Sequence, residues 1–178
     1  MKKISILTAC YNEEENVEEL YKQVKAQFDV LKDKYTYEHI FIDNSSTDRT
    51  VEILKEIAAK DKNIKIIVNA MNFGHIRSPF HGLKQCYGDA VMSFVADLQD
   101  PPEVIPSLIE QWEAGFMVVN AKRSSRKKDT AFKRNTAGMY YKVLQNFSKH
   151  VKIPQNVANF RLIDRKVLDY VNSLPEKN

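Results

Sequence analysis

The stretch Gly88–Glu103, GDAVMSFVADLQDPPE, decides the fold. Its apolar run from Ala90 to Ala96 is short, continuous and bounded by turn residues, which is typical of a buried strand in a parallel sheet. Residues 101 and 102 are both proline, so a central strand cannot continue there, and the second proline suits the first turn of a helix. Open α/β sheets bind ligands where their parallel strands end, so the polar residues 97–100 are expected to lie at a binding site.

Three side chains in this turn offer hard oxygen donors: Asp97, Gln99 and Asp100. Such donors at the end of a strand predict a divalent cation, Mg²⁺ or Mn²⁺, that holds a phosphate group. One donor is missing from the pattern, because the residue two positions before Asp97 is Val95.

Strands and helices alternate along the chain up to Ala121. Strands are predicted at 3–9, 37–42, 64–68, 90–96 and 116–121, with a helix between each consecutive pair. Asn12 is the expected cap of the first helix, and Thr47 or Asp48 is the expected cap of the second. The alternation predicts an α/β fold with a Rossmann-like, mainly parallel sheet and helices on both faces. A helix near 135–148, a short strand at 160–163 and a final helix are expected beyond it.

Length and composition predict one soluble globular domain that spans residues 1–178. The sequence stops without an evident structural close, so we expect the domain to be truncated at its carboxyl end.

The net charge is +4, yet the segment Lys122–Arg134 carries seven basic residues and one acid, a net charge of +6. This segment is a candidate anion site. Two isolated cysteines, and no apolar stretch near the ~20 residues that span a bilayer, favour a cytoplasmic location.

Acidic or amide-rich turns follow three of the predicted strands: Tyr11-Asn12-Glu13, Asp43-Asn44-Ser45 and residues 97–100. A single turn of this kind is more simply explained as a helix cap. Three at one edge of a doubly wound sheet should converge on a ligand instead. The sequence has neither G-x-G-x-x-G nor a Walker A loop, so a dinucleotide site or a P-loop is not expected.

Five ordered motifs carry a resemblance that covers nearly the whole chain. In chain order they are Tyr11-Asn12-Glu13-Glu14, Phe41–Asp48, Asn72-Phe73-Gly74-His75, Asp97–Glu103 and Asn159-Phe160-Arg161-Leu162. Together they resemble family 2 glycosyltransferases, especially the branch of polyprenyl-phosphate and dolichol-phosphate sugar synthases. The resemblance implies a GT-A fold, a nucleotide-sugar donor, a divalent cation and inversion at the anomeric carbon.

The resemblance also implies roles for individual residues. Five residues would bind the donor: Ala9, Tyr11, Glu13, Asp43 and Asn72. Of these, Ala9, Tyr11 and Glu13 would lie beside the nucleoside, and Asp43 would contact the base or ribose. Asp97, with Gln99, would hold the metal on the diphosphate. Arginine fits phosphate oxygens in a bidentate manner, and three arginines are candidates for phosphate on donor or acceptor: Arg123, Arg134 and Arg161. Asp100 is the candidate general base if the acceptor is a hydroxyl.

The chain departs from the family pattern at five positions, and most of these changes remove charge from the expected donor site. Val95 and Asn44 stand where acids are usual, Ser45 replaces a glycine, Met71 replaces an arginine, and Asn159 stands where related synthases often have an acid. These departures motivate an alternative, a catalytically silent nucleotide-sugar binder or assembly partner. His75 and His81 are interpreted as packed or capping side chains rather than metal ligands.

The expected partners follow from the same resemblance. They are a nucleotide-sugar donor, a polyprenyl-phosphate or cell-envelope glycan acceptor and, for the full-length protein, the inner face of the cell membrane. Nucleic acid is not an expected partner, because the basic segment carries no recognisable nucleic-acid-binding motif. Another copy of the same chain is a further expected partner, in a homo-oligomer.

Overall fold

The computed structural model describes residues 1–122 and 157–174. The six strands are β1 (Lys2–Cys10), β2 (Tyr35–Asp43), β3 (Ile64–Val68), β4 (Ala90–Val95), β5 (Val118–Lys122) and β6 (Val157–Asp164). The helices are α1 (Val17–Leu31), α2 (Thr50–Lys60), α3 (Gly74–Leu83), α4 (Ile105–Glu113), which follows a 3-10 turn at Pro102–Val104, and α5 (Arg165–Ser173). The helix predicted at 135–148 lies outside the described residues.

One six-stranded sheet has the order β3-β2-β1-β4-β6-β5. β1 pairs in parallel with β2 and β4, and β2 pairs in parallel with β3. β6 is antiparallel to both of its neighbours, β4 and β5. The predicted mainly parallel sheet is confirmed, with one difference: β5 does not pair with β4, because β6 lies between them.

Apolar side chains cover both faces of the sheet. On one face, α1 contributes Val17, Leu20, Val24 and Phe28, which recur at helical spacing and are all buried. Residues of α2 and α4 extend the same cluster. On the other face, Leu7 of β1 packs in a smaller cluster with Leu168 of α5. The strands are therefore held between two apolar layers, which fixes their carboxyl ends relative to one another.

The start of α1 differs from the prediction. The helix begins at Val17, so Asn12 is not its cap. Asn12 instead has a positive φ of 54°, a left-handed backbone conformation that asparagine tolerates better than most residues. At α2 the cap position is taken by Arg49, so the prediction of Thr47 or Asp48 as the cap is wrong; Asp48, one residue earlier, accepts a hydrogen bond from the backbone N–H of Thr50 at 3.0 Å.

Within residues 1–122 and 157–174, no helix combines the length and the apolar character that crossing a bilayer would need.

Candidate functional site

The carboxyl ends of β1, β2 and β4 lie side by side at one edge of the sheet. Cys10 pairs with Asp43, and Ala9 pairs with Val95. The three polar turns predicted to converge therefore follow three adjacent strands. Each turn contains a residue other than glycine with a positive φ: Asn12 (54°), Ser45 (68°) and Leu98 (55°). Unfavourable backbone conformations of this kind are often found at functional sites, and in the described part of the chain all of them lie at this edge.

Hydrogen bonds join the first two turns to each other. The backbone N–H of Asn12 donates to Ser46 Oγ at 2.9 Å, and Asn12 Oδ1 accepts from the backbone N–H of Thr47 at 2.8 Å. The backbone N–H of Glu13 donates to Thr50 Oγ1 at 2.8 Å. The chain after β1 is thus fixed on the turn after β2, although more than 30 residues separate them.

A cleft of about 420 Å³ opens between these turns and the start of α3. Four of the five predicted donor-binding residues line it: Ala9, Tyr11, Glu13 and Asn72. The remaining lining residues are Cys10, Asn44, Gly74, His75, Ser78, Pro79 and Val95. Sequence motifs from three separate parts of the chain therefore share one cavity of a size suited to a small-molecule ligand.

Asp43, the fifth predicted donor-binding residue, does not line this cleft. Its side chain is fully buried, Oδ2 accepts from the backbone N–H of Ser46 at 2.9 Å, and Oδ1 accepts from the Ser46 hydroxyl. In this arrangement Asp43 closes the turn after β2. Its contact with a base or ribose stays a prediction.

Asn44 is a residue whose role the sequence analysis missed. The sequence pattern shows only the loss of a negative charge at this position, whereas the side chain is nearly buried and bonds to the loop that precedes α3. Two further residues of this network, Asn69 and Ser78, were not singled out at all. Asparagines at the end of a strand and in the following loop were the available signal, but their mutual contacts depend on the tertiary fold.

The thiol of Cys10 and the imidazole of His75 also line the cleft. Burial raises the pKa of the Cys10 thiol far above its usual value, so the sulfur stays protonated and is a poor nucleophile. His75 and His81 are both exposed, so neither is a packed side chain; the other interpretation, that they are capping side chains and not metal ligands, stays a prediction. His75 lines the cleft near the start of α3.

The predicted metal turn lies directly after β4. Asp97 is partly buried, and its Oδ1 accepts from the backbone N–H of Gln99 at 3.1 Å. Gln99 is exposed and Asp100 is 6% exposed. Among the described residues, no group of three or more His, Cys, Asp or Glu side chains is placed to hold a metal ion. The donors present, one carboxylate and one amide oxygen, fit an Mg²⁺ or Mn²⁺ ion that takes its remaining ligands from substrate phosphates and water.

The predicted phosphate-binding arginines are described only in part. Arg161 is exposed on β6, opposite Ser93 of β4 and Asn120 of β5. Arg123 and Arg134 lie outside the described residues, as does most of the basic segment.

A solved structure with the same fold supports the GT-A assignment. The mannosyltransferase PcManGT from Pyrobaculum calidifontis, in complex with GDP-Man and Mn²⁺, matches with a TM-score of 0.66 at 20% sequence identity. The match covers 98% of this chain and 48% of that one. At this level of identity the likeness shows the fold. The predicted GT-A fold is confirmed.

Curated relatives match along nearly the whole chain. An uncharacterized glycosyltransferase, YkcC of Bacillus subtilis (strain 168), is 42% identical over 174 residues, which is 98% of this chain and 53% of the relative. The bactoprenol glucosyl transferase of Shigella phage SfX is 43% identical over 176 residues, 99% of this chain and 57% of the relative. The chain thus spans about half the length of these relatives.

The sequence profile of glycosyl transferase family 2 matches residues 5–171. This match includes all three turns at the sheet edge and all strands except the first three residues of β1, and it confirms the resemblance carried by the five motifs. The chain therefore belongs to glycosyl transferase family 2.

Proposed function

We propose that this chain carries the catalytic site of an enzyme that moves a sugar from a nucleotide-sugar donor to a polyprenyl phosphate, with inversion at the anomeric carbon. One observation carries the proposal: motifs from three parts of the chain line a single cleft at the carboxyl edge of the sheet. The 43% identity to a relative named as a bactoprenol glucosyl transferase supports a polyprenyl-phosphate acceptor.

The donor nucleotide would occupy the cleft beside β1. Tyr11 is 46% exposed, so its ring is available to pack against a base or ribose, and Ala9 is small enough to leave space beneath it. Glu13 and Asn72 would supply hydrogen-bond acceptors and donors to the sugar hydroxyls of the nucleoside. Asp43 would contribute a carboxylate to the base or ribose.

The donor diphosphate would lie near the turn after β4. Asp97 and Gln99 would hold a divalent cation there, and when bound such an ion stabilises negative charge on the departing diphosphate. Val95 is 39% exposed and lines the cleft. The proposed metal site therefore has an apolar side chain at the position where a second carboxylate would otherwise stand. We therefore expect a weakly held metal that binds together with the nucleotide.

The reaction would be a direct displacement. A phosphate oxygen of the acceptor forms a bond to the anomeric carbon while the bond from that carbon to the diphosphate oxygen breaks, and the nucleoside diphosphate leaves. A phosphate monoester is already ionised near neutral pH, so it needs no general base. Arg161, Arg123 and Arg134 would orient the acceptor and offset phosphate charge. Asp100 would act as a base only with a hydroxyl acceptor.

A polyprenyl acceptor places this chemistry at a membrane surface. We propose that the full-length protein works at the cytoplasmic face of the cell membrane, with the basic segment against anionic lipid. The same proposal includes the association of the full-length protein into a homo-oligomer.

A transfer assay tests the proposal. The chain is incubated with vesicles that contain undecaprenyl phosphate, with Mn²⁺ and with UDP-glucose, GDP-mannose or UDP-N-acetylglucosamine, and release of nucleoside diphosphate is followed. Release that requires the lipid phosphate is the expected result, and Asp97→Asn should reduce it strongly. Vesicles without undecaprenyl phosphate give the background rate.

Val95 favours one alternative, a nucleotide-sugar binder without catalytic activity. Nucleotide binding that needs no metal, with no lipid-dependent release from any donor, would overturn the enzymatic proposal in favour of this alternative.

A further inference from the structure

We propose that Asn44 is a positioning residue, which fixes the loop 69–74 so that Asn72 and the start of α3 face the donor cleft. The inference deepens the proposed function and rests on it for the identity of the ligand. Asn44 is 7% exposed, directly after β2, and its side-chain amide is directed at the loop that joins β3 to α3.

Both ends of the Asn44 amide are engaged. Nδ2 donates to Asn72 Oδ1 at 2.7 Å and lies 3.4 Å from the carbonyl oxygen of Gly74. Oδ1 accepts from the backbone N–H of Phe73 at 2.9 Å and from Asn69 Nδ2 at 3.2 Å. One side chain, directly after β2, therefore contacts four residues of the loop 69–74.

Backbone groups fix the direction of each amide in this network. The N–H of Phe73 can only donate, so the atom of Asn44 that faces it must be the oxygen. The N–H of Gly74 donates to Asn72 Oδ1 at 2.8 Å, which fixes Asn72 in the same way. The Asn44 amide nitrogen therefore faces an acceptor, and it cannot exchange places with the oxygen without loss of the hydrogen bonds to Phe73, Asn72 and Gly74.

The loop matters because its residues form one wall of the cleft. Asn72 and Gly74 both line it, and Asn69 also donates to Ser78 Oγ of α3 at 2.9 Å. Gly74 has a φ of +81°, so the chain turns sharply into α3 at this point. If the bond to Asn44 is lost, Asn72 keeps only the backbone N–H of Gly74 to direct its side-chain oxygen.

An aspartate at position 44 would have nearly the same shape and no hydrogen-bond donor. In the wild-type chain the donor Asn44 Nδ2 lies 2.7 Å from the acceptor Asn72 Oδ1. The second carboxylate oxygen of the aspartate would take the place of Nδ2 and face Asn72 Oδ1 at that distance. Two oxygens repel each other at that distance, so Asn72 has to turn away or flip. A flip would leave the N–H of Gly74 without its acceptor.

The test compares Asn44→Asp with Asn172→Asp, which makes the same charge change at an exposed position on α5. In transfer assays with UDP-glucose, or the donor that proves active, we expect Asn44→Asp to raise the donor KM about tenfold, with a smaller change in kcat. Asn44→Gln keeps the amide and should restore part of the affinity. Asn172→Asp should match the wild-type chain.

Hydrogen exchange gives a readout that needs no activity, and its measurement on the wild-type chain does not depend on a folded variant. In the wild-type chain the backbone amides of Phe73 and Gly74 should be protected, and in Asn44→Asp protection at Gly74 should fall while that of the β-sheet is retained. Rapid exchange of both amides in the wild-type chain, or an unchanged donor KM in Asn44→Asp, would overturn the proposal. If the wild-type chain transfers no sugar while the Gly74 amide is protected as expected, the proposed function fails and the positioning of the loop by Asn44 stands.

Discussion

His39 should make the folded chain sensitive to mild acid. Its side chain is fully buried on β2, with Nε2 2.9 Å from Thr8 Oγ1, and Nδ1 has no hydrogen-bond partner among residues 1–122 and 157–174. Burial lowers the pKa of this imidazole from 6.5 to about 3, so the folded state keeps the ring neutral. The unfolded chain exposes the ring to water and protonates it near its ordinary pKa.

The size of the effect follows from these two pKa values. Because the folded pKa is depressed, the stability is fully present above about pH 6.5 and is lost as the pH falls below that value. Between pH 7 and pH 5 the unfolded chain takes up about 0.7 of a proton at His39, because about a quarter of the ring is already protonated at pH 7, and the folded chain takes up almost none. The free energy of unfolding should therefore fall by about 2 kcal/mol over this interval from this residue alone.

Urea denaturation at pH 7, 6 and 5 measures this loss. His39→Gln should remove most of the pH dependence, and His81→Gln, an exposed position on α3, should leave it intact. An NMR titration of the wild-type imidazole provides the same information if His39→Gln does not fold. Protonation of His39 in the folded chain near pH 6, or equal pH dependence in both variants, would refute the reasoning.

Four further substitutions test other parts of the structure. Glu38→Gln should lower the free energy of unfolding by about 2 kcal/mol in urea denaturation, because the buried carboxylate accepts bonds from two lysine ammonium groups at 2.6 and 2.9 Å. Ser45→Gly should raise it by about 0.5 kcal/mol, because φ is 68° there, and a decrease would contradict the backbone assignment. Gly88→Ala should lower it by about 2 kcal/mol, because a Cβ would lie 2.6 Å from the backbone nitrogen of Ser5. Val95→Asp should tighten Mn²⁺ binding in the presence of UDP about tenfold by calorimetry, and unchanged affinity would place the metal elsewhere.

Most of the strand positions could be predicted because their apolar runs are bounded by turn residues. The third strand, 64–68, was predicted at its observed bounds. The insertion of β6 between β4 and β5 was not predicted, since antiparallel pairing of residue 161 with residue 93 joins segments far apart in the chain. Local patterns carry no information about such a pairing.

The start of α1 was mispredicted for a related reason. Asparagine before a row of glutamates is a common capping pattern. Here Asn12 bonds to Thr47 and Ser46, which lie beyond the next strand, and the helix starts at Val17 instead. The long-range hydrogen bonds outweigh the local preference.

The position of the candidate site could be predicted from topology, whereas its detailed contacts could not. Adjacent parallel strands bring their carboxyl ends together, so the convergence of the three turns follows from the strand order. The burial of Asp43 depends on Ser46, and the role of Asn44 depends on a loop after another strand. In the sequence, Asn44 differs from the usual acid only by the loss of a negative charge. In the structure, its side chain joins the end of β2 to the loop 69–74.

The central claim is that a nucleotide sugar binds at the carboxyl edge of β1, β2 and β4. Its most direct test is NMR chemical-shift mapping of the 178-residue chain during titration with UDP-glucose and with GDP-mannose in the presence of Mg²⁺. We expect the largest shifts at residues 9–13, 43–46, 72–75 and 95–100, with little change around Glu38 at the opposite end of the strands. Shifts that cluster at the Glu38 end, or no saturable shift with either nucleotide sugar, would contradict the account.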